Sequence, residues 1–140
     1  PADCRRQRQM CIRDRNWEAI MYAAGNKVDN LIATIDHNGQ QIDGATSDVL
    51  PMGDLKKKFE AFGWDTIEIK NGNNLEKVIH GLKEAKKRTG KGKPVCVIMD
   101  TVMGHGVDFM MHTHAWHGKA PNDEQLEIAL NQNPETLGDY

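Results

Sequence analysis

No apolar run in this chain approaches the ~20 residues that cross a bilayer, so no transmembrane helix and no membrane partner are expected. Cysteine is scarce. Three residues, an odd count without metal-ligand spacing, argue against a disulfide framework and for a reducing, cytoplasmic setting. An excess of one charge is also missing: 18 basic residues face 20 acidic ones, a net charge of -2. Neither a nucleic-acid-binding nor a membrane-binding surface is implied. The amino end is Arg-rich and lacks the apolar stretch of a signal peptide. Internal repeats and low-complexity tracts are absent as well.

What is present fits one ordinary domain. The chain has 140 residues, 39% of them hydrophobic, enough for a moderate core. Residues 1–15 differ from the rest. They hold Cys4, Cys11 and five arginines (Arg5, Arg6, Arg8, Arg13, Arg15) against Asp3 and Asp14, with no glycine and no clean period. A basic interaction tail and an irregular native segment are two readings. The favoured one is a non-native stretch joined to a real gene, and it is excluded from fold reasoning.

From Asn16 the periodicities are regular. Trp17, Ile20, Met21 and Ala24 recur at helical spacing, with Asn16 as a cap and Gly25 as a terminator. Leu31–Ile35 is a short apolar run and reads as a strand. Residues 42–53 read as a polar loop broken by Gly44, Pro51 and Gly53. Leu55, Phe59 and Phe62 share one face of a helix over 54–62, and Asp65–Ile69 alternates as a strand does. Asn73 and Glu76 have capping-box spacing. They open a helix to about Arg88 with Leu75, Val78, Ile79, Leu82 and Ala85 as its apolar stripe. Val95–Met99 is apolar on both faces, as a central parallel strand is. Within it Cys96 reads as a small buried hydrophobe. Asn122 and Gln125 start a last helix through Leu126, Ala129 and Leu130, which Pro134 ends. Helices alternating with strands predict an α/β fold: a parallel sheet covered by helices on both faces.

Two stretches carry candidate chemistry. The first is Asp36-His37-Asn38-Gly39-Gln40-Gln41-Ile42-Asp43-Gly44. Asn-Gly is a common turn dipeptide and by itself reads as a turn. Position adds to it, because ligands of parallel sheets bind beyond the carboxyl ends of the strands. The Asn38 side-chain oxygen and the Gln40 carbonyl there suit a hard cation. The second is the loop after Met99, where four of the six histidines lie between His105 and His117. It admits three readings. One is a zinc site, although no helix-borne His-Glu-x-x-His is present. Another is a solvated polar loop. The third is a partner for the Asn38 turn, with a histidine binding a diphosphate or moving protons.

The stretch Asp36–Gly44 resembles the second half of the thiamine-diphosphate motif of transketolases. The resemblance extends over residues 16–140. Asn16-Trp17-Glu18-Ala19-Ile20-Met21 is similar to the helix after the family's Gly-Asp-Gly. Thr101-Val102-Met103-Gly104-His105-Gly106 resembles its Thr-x-x-Gly-x-Gly segment. Trp116-His117-Gly118-Lys119-Ala120-Pro121 resembles its His-Gly loop, in the form found where the enzyme is split into two polypeptides.

The resemblance implies a thiamine-diphosphate-binding fold, truncated at the amino end, with residues 16–140 as a partial diphosphate-binding domain. It implies thiamine diphosphate and Mg²⁺ as cofactors. Asn38 and the Gln40 carbonyl become metal ligands, and Asn38, Gly39, Ile42, Met103 and His117 contact the cofactor. His117 also reaches the substrate near its reacting carbons. Ile42 and Met103 equally suit ordinary core, and His105 stands where relatives often have lysine. The implied reaction moves a two-carbon ketol unit from a ketose phosphate to an aldose phosphate. The implied partner is a carboxyl-terminal half or subunit bearing the pyrimidine-binding domain, in a dimer of such pairs. Alternatives are a deoxyxylulose-phosphate synthase, a 2-oxo acid dehydrogenase component, or a non-catalytic interaction domain. One departure stands out. The family's Gly-Asp-Gly, whose aspartate is the third protein ligand, falls on Gln7-Arg8-Gln9, and a glutamate of the cofactor-activation network falls on Arg13. A guanidinium cannot ligate a cation.

Overall fold

The structure, a computed structural model, describes residues 15–133. Of the foreign-looking 1–15 stretch only Arg15 is among them; Arg8, Arg13, Cys4, Cys11 and the helix-ending Pro134 lie outside the described residues. The chain divides into two compact units. One holds the described residues up to His37 together with Met52–Thr101, and the other holds Asn38–Pro51 and the chain from Val102 on.

The first unit is built on a three-stranded parallel sheet. Its strands are β1 (Ile32–His37), β4 (Asp65–Ile69) and β5 (Val95–Asp100), in the order β1-β5-β4. β5 is central, and Val95, Cys96, Val97 and Ile98 are all buried, as the unbroken apolar run predicts. Alternate residues of β5 serve opposite faces. Cys96 and Ile98 join Ala23 of α1 (Asn16–Gly25), Leu55 and Phe59 of α3 (Leu55–Ala61), and Trp64. Val95 and Val97 join Ile69 and Ala85, the latter from α4 (Leu75–Arg88). The sheet is therefore flanked by helices on both faces.

Several local expectations need correction. The N-cap of α1 is Arg15, in left-handed conformation and without a capping side chain; Asn16 is the first helical residue. α1 does end at Gly25, as expected, but the left-handed conformation falls two residues later at Lys27, φ 52°. β1 runs two residues beyond Ile35, because Asp36 and His37 still pair with Met99 and Asp100. The α4 cap is Asn74, whose oxygen accepts the Lys77 amide, and not Asn73. The apolar stripe of α4 is also shifted. Of the expected stripe Ala85 is buried and Val78 half-buried, but Leu75, Ile79 and Leu82 are 71%, 42% and 39% exposed, and Gly81 is buried in their stead. A methyl group at Gly81 would lie 2.4 Å from the Ile69 Cδ1 atom, so the helix approaches the sheet through its smallest residue.

The second unit contains the segment expected to be loop. It folds as a hairpin of β2 (Gln40–Gln41) and β3 (Gly44–Ala45), followed by a helical turn, α2 (Thr46–Val49). Short hairpins carry too few residues for a periodic signal. Beyond Val102 the chain makes turns, a 3-10 turn at His114–Trp116, and α5 (Asp123–Gln132). The expected capping box of α5 is present: Asn122 accepts the Gln125 amide at 2.8 Å, and Gln125 accepts the Asn122 amide at 3.0 Å.

Candidate functional site at the strand ends

Asn38 is the first residue after β1. Its Oδ1 accepts the Gln40 amide at 2.9 Å, a closed Asx turn. Gly39 between them sits at φ 69°, a left-handed conformation that costs glycine little. The Thr46 amide donates to the Gly39 carbonyl at 2.9 Å, which makes Gly39 and Thr46 a hydrogen-bonded pair. Bonded and non-bonded pairs alternate in an antiparallel ladder. Gln40, opposite Ala45, therefore turns its N–H and C=O away from β3. Its N–H meets the Asn38 oxygen on that outer edge, and its carbonyl shares the edge. An amide oxygen carries two lone pairs, so holding the Gln40 N–H is compatible with serving a cation. Two neutral oxygens on one edge suit a hard, oxygen-seeking ion. Ile42, half-buried, is at the hairpin tip.

The other candidates lie beyond Val102, in the same compact unit as Asn38, Gly39, Gln40 and Ile42. Met103 is half-buried in a turn that requires its glycines. A Cβ at Gly104, φ 72°, would meet the Met110 carbonyl oxygen at 2.7 Å. One at Gly106, φ 97°, would meet the Asn133 side-chain oxygen at 2.6 Å. His117 closes the 3-10 turn; its amide donates to the His114 carbonyl at 2.9 Å, and its side chain is exposed. The turn is held by Thr113, whose hydroxyl accepts the Ala115 amide, and by Trp116 against Phe109, ring centroids 5.1 Å apart. Lys119 lies over the Trp116 ring at 4.7 Å. His105, His112 and His114 are exposed too, and among the described residues no three His, Cys, Asp or Glu side chains could hold a metal ion.

Sequence reasoning misses a cluster in the first unit, at the ends of β1 and β5. His37 donates from Nδ1 to Asp100 Oδ1 at 3.0 Å, and Lys70 lies 3.5 Å from Asp100 Oδ2. The His37 hydrogen bond, aided by Lys70, holds the Asp100 carboxyl below the usual carboxylate range. The Thr101 hydroxyl donates to the Asp36 carboxylate. Only the strand register reveals these pairs, since the partners stand some sixty residues apart.

A parallel sheet flanked by helices on both faces, its first strand running directly into the Asn38 turn, defines an α/β fold of the kind that binds ligands at its strand ends. Residues 10–135 match the family "Transketolase, thiamine diphosphate binding domain", and the chain belongs to that family. It is 39% identical over 117 residues to one of the subunits of an apulose-4-phosphate transketolase from Actinobacillus succinogenes, covering 84% of this chain and 41% of that protein. It is 35% identical over 114 residues to a 6-deoxy-6-sulfo-D-fructose transketolase subunit of Clostridium sp., covering 81% of this chain and 40% of that one. The transketolase crystal structure from Campylobacter jejuni superposes with a TM-score of 0.75 at 30% identity, over 89% of this chain and 18% of that chain. The chain thus spans about two fifths of the length of the split relatives it matches.

Proposed function

We propose that this chain is the diphosphate-holding part of a transketolase that transfers a two-carbon ketol unit between sugar phosphates in the cytoplasm. The observation that carries the reading is the Asn38 turn, with the Asn38 side-chain oxygen and the Gln40 carbonyl on one hairpin edge. These oxygens would hold Mg²⁺, and through it the diphosphate of thiamine diphosphate. When bound, that cofactor supplies a carbanion-stabilising electron sink. Gly39 gives the diphosphate close access to main chain, and Ile42 and Met103 offer apolar surface to the cofactor rings. His117, exposed at the end of the 3-10 turn, would carry a proton to and from the substrate oxygen or neutralise phosphate charge. The pyrimidine-binding half comes from a partner. Relatives named as transketolase subunits support that division of labour.

Arg8 stands where the resemblance places the third metal ligand. Magnesium demands a complete octahedral oxygen shell, so the chain as it stands binds the cofactor poorly. The test is calorimetric titration of thiamine diphosphate and magnesium into the chain paired with a pyrimidine-binding half. The comparison is with a chain carrying Gln7→Gly, Arg8→Asp and Gln9→Gly. Binding is expected only in the substituted chain, and Asn38→Ala there abolishes it. Micromolar binding by the unaltered chain would overturn the role given to Arg8. Silence from both would overturn the metal site. Turnover of sugar phosphates rather than pyruvate then separates ketol transfer from the chemistry of other thiamine-diphosphate enzymes.

A further inference from the structure

We infer that the outer edge of β1 is a strand-accepting surface, and that its occupant is an extended segment parallel to β1 with alternating apolar and polar side chains. The inference is independent of the metal site. Among the described residues β1 pairs with β5 alone. The ladder says which of its main-chain groups are engaged. The Val95 amide donates to the Leu31 carbonyl at 3.0 Å, and the Thr101 amide to the His37 carbonyl at 3.3 Å. Successive residues of a strand turn their N–H and C=O to opposite sides. Residues 31, 33, 35 and 37 therefore serve β5, and Ile32 and Thr34 present theirs to the outer edge.

The two outer strands of the sheet are not alike. β4 carries the marks of a true edge. Asp65 pairs with Arg88 at 3.1 Å and Glu68 with Lys56 at 3.4 Å, and such charges discourage further strand pairing. β1 has no charge from Ile32 to Ile35. Ile32 packs on the cluster of one sheet face, and Ala33 and Ile35 on that of the other. That composition belongs to an interior strand.

Along β1 runs an apolar groove of about 470 Å³, lined by Ala33 and Ile35, by Trp17, Ala19 and Ile20 of α1, and by Met52. A segment bonded to Ile32 and Thr34 sends every second side chain into this groove. Its other side chains stand beside Thr34 and Asp36, both exposed. Hence the alternation. The first turn of α1 lines the groove as well, so a strand lying there can lead into α1 and through it to β1. Strand-helix-strand units of this kind are right-handed with parallel strands, which sets the direction. Residues 1–14 contain no apolar–polar alternation over as many as five positions, so the chemistry of the groove calls for a different sequence.

The test uses the full chain as it stands and the peptide acetyl-Lys-Val-Thr-Val-Thr-Val-Lys-amide. Tryptophan fluorescence, with Trp17 in the groove, is expected to change saturably as the peptide is added. Amide exchange read by NMR is expected to slow about tenfold at Ile32 and Thr34 on saturation, and to change little at Ala33 and Ile35. A peptide with proline at its central positions lacks the N–H donors and is expected to bind at least about tenfold more weakly. Ala19→Gln, at an exposed helical position, keeps α1 intact and is expected to weaken the peptide severalfold. A nitroxide on the amino end of the peptide is expected to broaden Leu31 more than Asp36. Absence of binding, or equal binding of the proline peptide, would overturn the strand-accepting surface. Unchanged affinity in Ala19→Gln would overturn the part given to the groove, and stronger broadening at Asp36 the parallel direction. Slow exchange at Ile32 and Thr34 before peptide is added would also overturn the proposal. If independent of chain concentration, it would assign the edge to residues 1–14; if rising with concentration, to a second copy of the chain.

Discussion

Trp64 donates its indole N–H to the Ile20 carbonyl across 2.9 Å, joining the residue before β4 to the middle of α1. The ring is buried and meets Phe59 edge-on, centroids 5.4 Å apart at 86°. One side chain thus fills the core and tethers the helix that follows Arg15. Trp64→Phe keeps most of the bulk and removes the donor, at an expected cost of about 1 kcal/mol. Trp64→Ala opens a cavity and is expected to cost about 3–5 kcal/mol. Urea unfolding followed by circular dichroism checks both: an unchanged stability of Trp64→Phe would contradict the hydrogen bond's share, and equal effects of the two variants the cavity's.

Gly104 cannot be replaced cheaply. It combines φ 72° with a Met110 carbonyl oxygen 2.7 Å from where a Cβ would stand. Gly104→Ala is expected to destabilise the turn around Met103 by about 2 kcal/mol or more. Amide hydrogen exchange over residues 102–111 reads this directly, with faster exchange there and little change in β5.

Cys96 is fully buried on the central strand, and burial pushes its thiol up to about 12. The folded state favours the neutral thiol. Its contribution is complete below the ordinary thiol value near ~8.5 and is lost as pH climbs from there toward the folded value. Iodoacetamide at pH 8 is expected to leave Cys96 unmodified in the native chain and to alkylate it in urea. Peptide mapping by mass spectrometry separates it from Cys4 and Cys11.

Asp100 gives a dependence of opposite direction. Its carboxyl is held low, first by the His37 hydrogen bond and then by Lys70. A lowered carboxylate pKa adds stability above the unfolded value near ~3.9, lost as pH falls through the folded one. Thermal melts from pH 6 down to pH 2 are expected to fall less steeply in Asp100→Asn than in the parent. Parallel curves would show that the pair contributes nothing.

Much of the fold is readable because burial on a parallel strand leaves a direct trace. Val95–Met99 has to be central, since only a strand covered on both faces tolerates an unbroken apolar run. Asn122 with Gln125 announces its own cap, because that geometry is local to one turn. The stripe on α4 misleads for a related reason. Periodicity counts Leu75, Val78, Ile79, Leu82 and Ala85 as core; Ala85 is buried and Val78 half-buried, but closeness to the sheet brings in Gly81 and leaves Leu75, Ile79 and Leu82 exposed.

The candidate site divides in the same way. Asn38-Gly39 and the Trp116–Pro121 loop are legible as motifs, because turn and capping chemistry reside in adjacent residues. The β2–β3 hairpin is not, being too short for a periodic signal, and with it goes the edge on which Gln40 turns its carbonyl.

The sequence by itself determined the three strands of the parallel sheet and the four longer helices, the strand-end turn at Asn38 and the family to which those motifs point. It could do so because each is written in residues within one or two turns of one another. Tertiary structure alone decided which faces of α4 and β1 are covered, and that His37 meets Asp100 and Asp36 meets Thr101. Those partners are distant in the chain and become neighbours only when β1 and β5 align in parallel, His37 opposite Asp100.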